Sequence, residues 1–212
     1  MTMLFTKSTE LFPHNTSQSP PTSFPFLFSV AADTDLWLKP AAIGGPPSSL
    51  PLIAGNQPTF YATTSLSSFV RATTTVSFLP EFLYDQAGLV LLFPHDQSKW
   101  IKGGLEYVDG ISKRSVVVTT GQDHGADWSV SPPIPRTSDD TGRVRTVVEF
   151  EREEDGTGSS LFVKIDGEVV REITWVFAAP QDDEEIWIGF YGARPAKADV
   201  AGDLDVQVED WN

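Results

Sequence analysis

Trp100-Ile101-Lys102-Gly103-Gly104-Leu105-Glu106-Tyr107, followed by Val108-Asp109-Gly110, is the stretch that decides the fold. Ile101, Gly103, Leu105 and Tyr107 form one set, and Trp100, Lys102, Gly104 and Glu106 the other, the period of two expected of a β-strand with a core face and a polar face. Lys102 and Glu106 lie about 13 Å apart along the strand at ~3.3 Å per residue, too far to pair with each other. Their partners must come from neighbouring strands or from a ligand. Both are expected on the polar face opposite the core, where Ala substitution changes stability little. Asp109-Gly110 supplies the left-handed residues a tight hairpin needs.

Working outward, the same signature recurs: short β-branched and aromatic runs separated by turn residues predict strands at 60–65, 70–78, 88–93, 100–108, 115–120, 143–152, 160–165, 168–175, 186–191 and 204–211. Glu154-Asp155-Gly156 and Ile165-Asp166-Gly167 supply further Asp-Gly turns. No segment sustains apolar spacing of three and four, so helix should be minor. The reading is all-β, a two-sheet antiparallel β-sandwich or jelly roll. Nine of the 16 prolines fall between Pro13 and Pro58, so this stretch is read as extended segments wrapping a body. Residues 1–23 are expected to form a flexible tail and 24–212 a single domain, with Phe24, Phe26, Phe28 and Trp37 protected inside it.

The 212 residues carry 15 Lys and Arg against 29 Asp and Glu, a net charge of -14. Lys7, Lys39 and Arg71 cancel Glu10, Asp33 and Asp35, so the whole excess lies after residue 80. That balance argues against nucleic acid and an anionic membrane as partners. Without cysteine there is no disulfide, thiol nucleophile or Cys-ligated metal. No basic region and long apolar run open the chain, and no window suits a membrane span. A cytoplasmic protein is expected.

Five segments in order, Tyr84-Asp85-Gln86-Ala87-Gly88-Leu89, the strand from Trp100 to Tyr107, Ser115-Val116-Val117-Val118-Thr119, Asp127-Trp128-Ser129 and Ile188-Gly189-Phe190-Tyr191-Gly192-Ala193, carry a resemblance. Together they resemble a family of domains of unknown function with a concanavalin A-like lectin/glucanase jelly roll, which includes the fungal "regulation of enolase" protein. The match covers roughly residues 30–212. It implies a sandwich of two curved sheets and, for the yeast-type member, a cytoplasmic role connected with enolase expression. It implies no catalytic residues.

Tests for chemistry are mostly negative. The Glu-x-Asp-x-x-Glu strand of jelly-roll glucanases is missing, and Glu149-Phe150-Glu151-Arg152-Glu153 runs into a hairpin, which suits a solvated face. No serine elbow, phosphate loop or zinc-protease motif occurs. His14, His95 and His124 fall in loops or the tail. Asp33/Asp35, Asp139/Asp140, 182–185 and Asp203/Asp205 are acidic clusters of the kind calcium uses, without EF-hand spacing. No catalytic residue, cofactor or metal site is expected. The constellation that suits a ligand is Gln86, Trp100, Lys102, Glu106, Trp128, Tyr191 and Arg194, rings for the C–H face of a sugar and polar groups for its hydroxyls. The expectation is a non-catalytic, lectin-like module binding a carbohydrate or small polar ligand on its concave face. The alternatives are a glycoside hydrolase with an unrecognised carboxylate pair, or a structural protein whose concave face is filled by its own side chains.

Overall fold

The computed structural model describes residues 3–4, 10–40, 55–121, 123–132, 141–178 and 184–212, the first pair as backbone alone. Their strands form two sheets of seven. One sheet runs β12 (Glu168–Ile173), β11 (Gly158–Ile165), β10 (Val144–Asp155), β5 (Phe69–Phe78), β14 (Leu204–Trp211) and β3 (Phe26–Val30), and β1 (Met3–Leu4) lies parallel to β5. The other runs β2 (Phe12–His14), β4 (Thr59–Ser65), β13 (Glu185–Ala193), β6 (Gln86–Leu92), β7 (Lys99–Val108), β8 (Ile111–Thr120) and β9 (Ala126–Ser131). All other pairings between these strands are antiparallel, as the two-sheet sandwich reading requires, and one isolated parallel bridge joins Ala32 to Arg194. The one helical element among the described residues is a 3₁₀ turn, Leu66–Ser68, capped by the Ser65 hydroxyl.

Alternation builds the core. Val76, Phe78, Val148, Phe150, Val163 and Val206 from the first sheet meet Phe60, Leu89, Ile101, Leu105, Val116 and Phe190 from the second. Phe28, Phe60 and Phe190 pack ring against ring at centroid distances of 5.4 to 6.0 Å, and Trp211 meets Phe190 edge-on. A bulge between Val208 and Asp210 shifts the phase of β14, which is why Trp211 faces inward. Gly103 faces the opposite sheet, where Phe150 and Val163 fill the space a side chain would need. Tyr107, expected in the core, is only partly buried; it lies near the end of the strand, where its backbone extends the ladder to Tyr84 and Asp85.

Two hairpins turn through the expected residues, with Asp109, Gly110, Asp166 and Gly167 all left-handed. The third differs: Asp155 pairs with Gly158 inside the ladder, so Gly156-Thr157 makes the turn and the Asp155 carboxylate accepts from Thr157. The segment read as a flexible tail, 1–23, includes β1 and β2. Leu11 is buried, and the Gln18 amide bonds both the N–H and the carbonyl of Ser29. Phe28 is buried and Phe24 and Phe26 pack against the core. Trp37 is the exception, 42% exposed, because its neighbours Leu36 and Leu38 take the sheet-facing positions.

Candidate functional site

The outer face of the second sheet carries the other half of each alternation. Its rows follow from register: Gln86 opposite Glu106, Gly88 opposite Gly104 and then Ser115, Val90 opposite Lys102, Val117 and Trp128. Gly88 and Gly104 let β6 and β7 approach closely; a Cβ on either would sit within 2.0 or 2.1 Å of a backbone carbonyl of the other strand.

An extended strap, residues 33–40, crosses this face. Its ends are tied where Thr34 N–H donates to Arg194 O at 3.1 Å and Ala126 N–H to Leu38 O at 2.9 Å. Leu36 and Leu38 turn down onto Val90, Leu92, Trp100, Val117 and Tyr191, a second apolar cluster separate from the core. Asp35, Trp37 and Lys39 turn the other way and line a cleft of about 380 Å³ whose floor includes Gln86, Lys102 and Glu106. Trp128 and Tyr84 form its far wall.

The floor is polar, buried and internally bonded. Lys102 is 2% exposed. Its ammonium donates to Gln86 Oε1 at 2.8 Å and Asp35 Oδ1 at 3.3 Å, and lies 5.9 and 6.0 Å from the Tyr191 and Trp100 ring centres, within cation–π range. Gln86 donates in turn to Tyr84 O and Asp35, and accepts from the Tyr191 hydroxyl at 3.3 Å. Glu106, 5% exposed, accepts on Oε2 from Ser115 Oγ at 2.6 Å and Trp128 Nε1 at 2.9 Å. Tyr84 stands edge-on to Trp128, with rings 6.1 Å apart, and holds φ +69°, a left-handed conformation costly for a bulky residue. Its strain is held by the hydrogen bonds of its N–H to Tyr107 O and of its carbonyl to Gln86.

Of the seven residues read from the sequence, the structure brings Gln86, Lys102, Glu106 and Trp128 into one cleft. Tyr191 backs it without reaching the opening. Trp100 is buried beneath the strap, packed with Leu36 and Leu38. Arg194 points away from the cleft: 1% exposed, it makes a two-pronged pair with the fully buried Asp85 at 2.9 and 2.8 Å. Its remaining N–H groups go to Glu81 and the carbonyls of Gly202 and Asp203. Asp85 also accepts from the N–H groups of Glu81 and Phe82, so this pair shapes the loop that presents Tyr84. Lys102 and Glu106, expected on a polar face where Ala substitution costs little stability, are buried there because strap and Trp128 cover them. The sequence reading missed Asp35, Trp37 and Tyr84 as cleft residues; alternation within 35–39 is the signal that could have found the first two.

The other candidates are engaged elsewhere. Lys164 reaches Glu149, Glu151 and Glu153, and Arg71 pairs with Glu149, so the carboxylate run is a charge ladder on the outer face of the first sheet. Asp33 pairs with Lys197, and Asp203 accepts from Ser29. Asp139, Asp140, Asp182 and Asp183 lie outside the described residues. His14 stands edge-on to Trp187, where burial lowers its pKa, and His124 neighbours Thr120. Among the described residues, no three His, Asp or Glu side chains gather as a metal would need, and no helix is long and apolar enough to cross a membrane.

Two tests follow from this geometry. Asp85→Ala leaves the buried Arg194 guanidinium with only the exposed Glu81 carboxylate and should cost about 3–5 kcal/mol in urea unfolding. Lys102→Ala removes a donor from Gln86 but leaves Asp35 partly hydrated, so about 1–3 kcal/mol is expected; equal losses would show that the strap pair is as enclosed as the Arg194 pair. Burial pushes the Tyr191 hydroxyl well above its ordinary value of 10.0, and the Glu106 and Asp35 charges add to this. The folded state therefore holds that proton more tightly than the unfolded one, so its contribution is complete below about pH 10 and is lost as pH rises further. Tyr191→Phe should shallow the alkaline fall in melting temperature; an unchanged slope would mean other groups cause it.

Comparison with known proteins gives the chain's relatives. Residues 21–212 match the family described as "Protein of unknown function (DUF1349)". An uncharacterized protein of Emericella nidulans, AN7484, is 34% identical over 186 residues, spanning 86% of this chain and 83% of its own. The crystal structure of a functionally unknown protein from Saccharomyces cerevisiae superposes with a TM-score of 0.63 at 20% identity, covering 95% of this chain and 94% of that one, a likeness of fold. A xylan β-1,4-xylosidase from Bacillus halodurans aligns at a TM-score of 0.46 and 15% identity over 73% of this chain and 30% of its own, too low a likeness to bear on activity. The chain belongs to the DUF1349 family of proteins of unknown function.

Proposed function

We propose that the cleft under the strap is a non-catalytic binding site for a saccharide or a similar small polar ligand. One observation carries this reading: a preorganised polar floor, Gln86, Lys102 and Glu106, lies beneath two indoles left open to solvent, Trp37 at 42% and Trp128 at 37% exposure. Large apolar rings at a surface are costly unless something covers them, and an indole suits the C–H face of a sugar ring. Each floor side chain is already hydrogen-bonded, Lys102 to Gln86 and Glu106 to Ser115 and Trp128, so binding freezes few rotamers. A cleft of about 380 Å³ falls within the range of small-molecule sites.

The hydrolase alternative has one observation in its favour, that Asp35 and Glu106 line the same cleft. Asp35 Oδ1 already accepts from Lys102, Gln86 and the Leu36 N–H, and the lysine ammonium beside it favours the ionised carboxylate, which suits holding the strap better than acting as a general acid. The cytoplasmic role connected with enolase expression comes from the sequence resemblance alone; a cleft that senses a sugar is the form in which this fold would serve metabolic regulation.

A glycan array followed by thermal-shift titration tests the reading. A ligand at about 100 times its dissociation constant should add ~2.7 kcal/mol to stability. Trp37→Ala and Trp128→Ala should each weaken binding by about 10-fold or more, equivalent to ~1.4 kcal/mol, and Trp37→Ala should leave the melting temperature nearly unchanged. Binding that survives both substitutions would remove the cleft from the account.

A further inference from the structure

Four charged side chains are buried among the described residues: Asp85, Lys102, Glu106 and Arg194. Asp85 and Arg194 pair at 2.8 Å, and Lys102 has Asp35 at 3.3 Å. Glu106 alone has no cation within 4.0 Å among the described residues. Its two partners, Ser115 and Trp128, are neutral donors and both approach Oε2, leaving Oε1 without a donor. The nearest lysines along and across the strand are committed elsewhere, Lys102 to Asp35 and Gln86, and the cross-strand neighbour Lys113 to Asp109 at 2.8 Å. Glu106 is thus the one buried charged residue without an ion-pair partner among the described residues, and its Oε1, held by no protein donor, is the oxygen left to face the cleft.

Its surroundings favour a cation. Trp128, whose indole N–H bonds the same carboxylate, and Tyr84 wall the site, and Trp37 faces them from the strap. Aromatic faces attract ammonium groups as well as sugar C–H faces. The net charge of -14 raises the local concentration of cations over that of anions. Lys39, on the rim, is exposed, so water compensates its charge and it makes no comparable demand.

We infer that the ligand brings a protonated primary amine to Glu106 Oε1, making it an amino sugar or an oligosaccharide of amino sugars with free amines. The inference rests on the saccharide reading of the cleft. The ammonium sits on the carboxylate while the pyranose ring lies against Trp128.

Isothermal calorimetry with three matched tetrasaccharides, the glucosamine tetramer, its N-acetylated form and cellotetraose, tests both statements separately. The wild-type protein should bind the free-amine tetramer at least about 10-fold tighter than the other two, a difference of ~1.4 kcal/mol, and raising the pH past the amine's pKa should erase the difference. Glu106→Gln, which keeps the acceptor for Ser115 and Trp128, should abolish the preference at unchanged fold by circular dichroism, and Glu106→Asp should retain part of it. The pH series on wild-type protein needs no variant, so the inference stands or falls even if the substitutions unfold. Equal binding of all three sugars, or a preference that persists in Glu106→Gln, overturns the ammonium seat and leaves a saccharide site. Binding of none of them overturns both.

Discussion

A lysine ammonium facing outward from the middle of a sheet and closed off from water needs an anion, and in this protein the anion comes from a different part of the chain. Lys102 is fixed on β7 by the sandwich, and Asp35 reaches it from 67 residues earlier. Everything that makes the outer face a cleft rather than a flat sheet follows from covering that ammonium. The strap must pass close enough to pair with it, and in passing it raises one wall of the cleft.

The strap can do this because it obeys the same period-two rule as the strands it crosses. Leu36 and Leu38 bury themselves on Val90, Leu92 and Trp100, while Asp35, Trp37 and Lys39 face the cavity. Asn56 holds the strap from outside, its amide accepting from Asp35 N–H at 2.9 Å and donating to Asp33 O at 2.8 Å. The apolar contacts fix the strap's position and the ion pair fixes its register. On the far side of the floor the Asp85–Arg194 pair has a parallel task, holding the turn that sets Tyr84 against Trp128. Two ion pairs, one partly solvated and one fully buried, thus brace the two walls.

How much of this was legible in the sequence depends on whether each signal was local. The alternation of Ile101 and Leu105 against Lys102 and Glu106 is a property of eight consecutive residues, and it correctly separated core from floor. Two of the three Asp-Gly hairpins were equally local; at the third, Asp155 stays in the ladder and Gly156-Thr157 turns. Arg194 was not: a lone arginine after an apolar strand looks the same whether it meets a ligand or a buried Asp85, and the deciding partner lies 109 residues away. Trp100 shares a face with Lys102, and only the strap distinguishes the covered residue from the open one. Asp35 and Trp37 sit in a proline-rich stretch that reads as extended wrapping, and a strap that joins no ladder carries too short an alternation to mark its inward and outward residues.

The central claim is that ligand enters between the strap and Trp128, and the six indoles of the chain report on it directly. In ¹⁵N-resolved NMR of the indole N–H groups during titration with the glucosamine tetramer, the account predicts that the Trp37 and Trp128 signals shift together and saturably, while Trp211 in the core and Trp100 beneath the strap hold their positions. Shifts confined to Trp187 or Trp175, with Trp37 and Trp128 unmoved, would place the ligand elsewhere and contradict it.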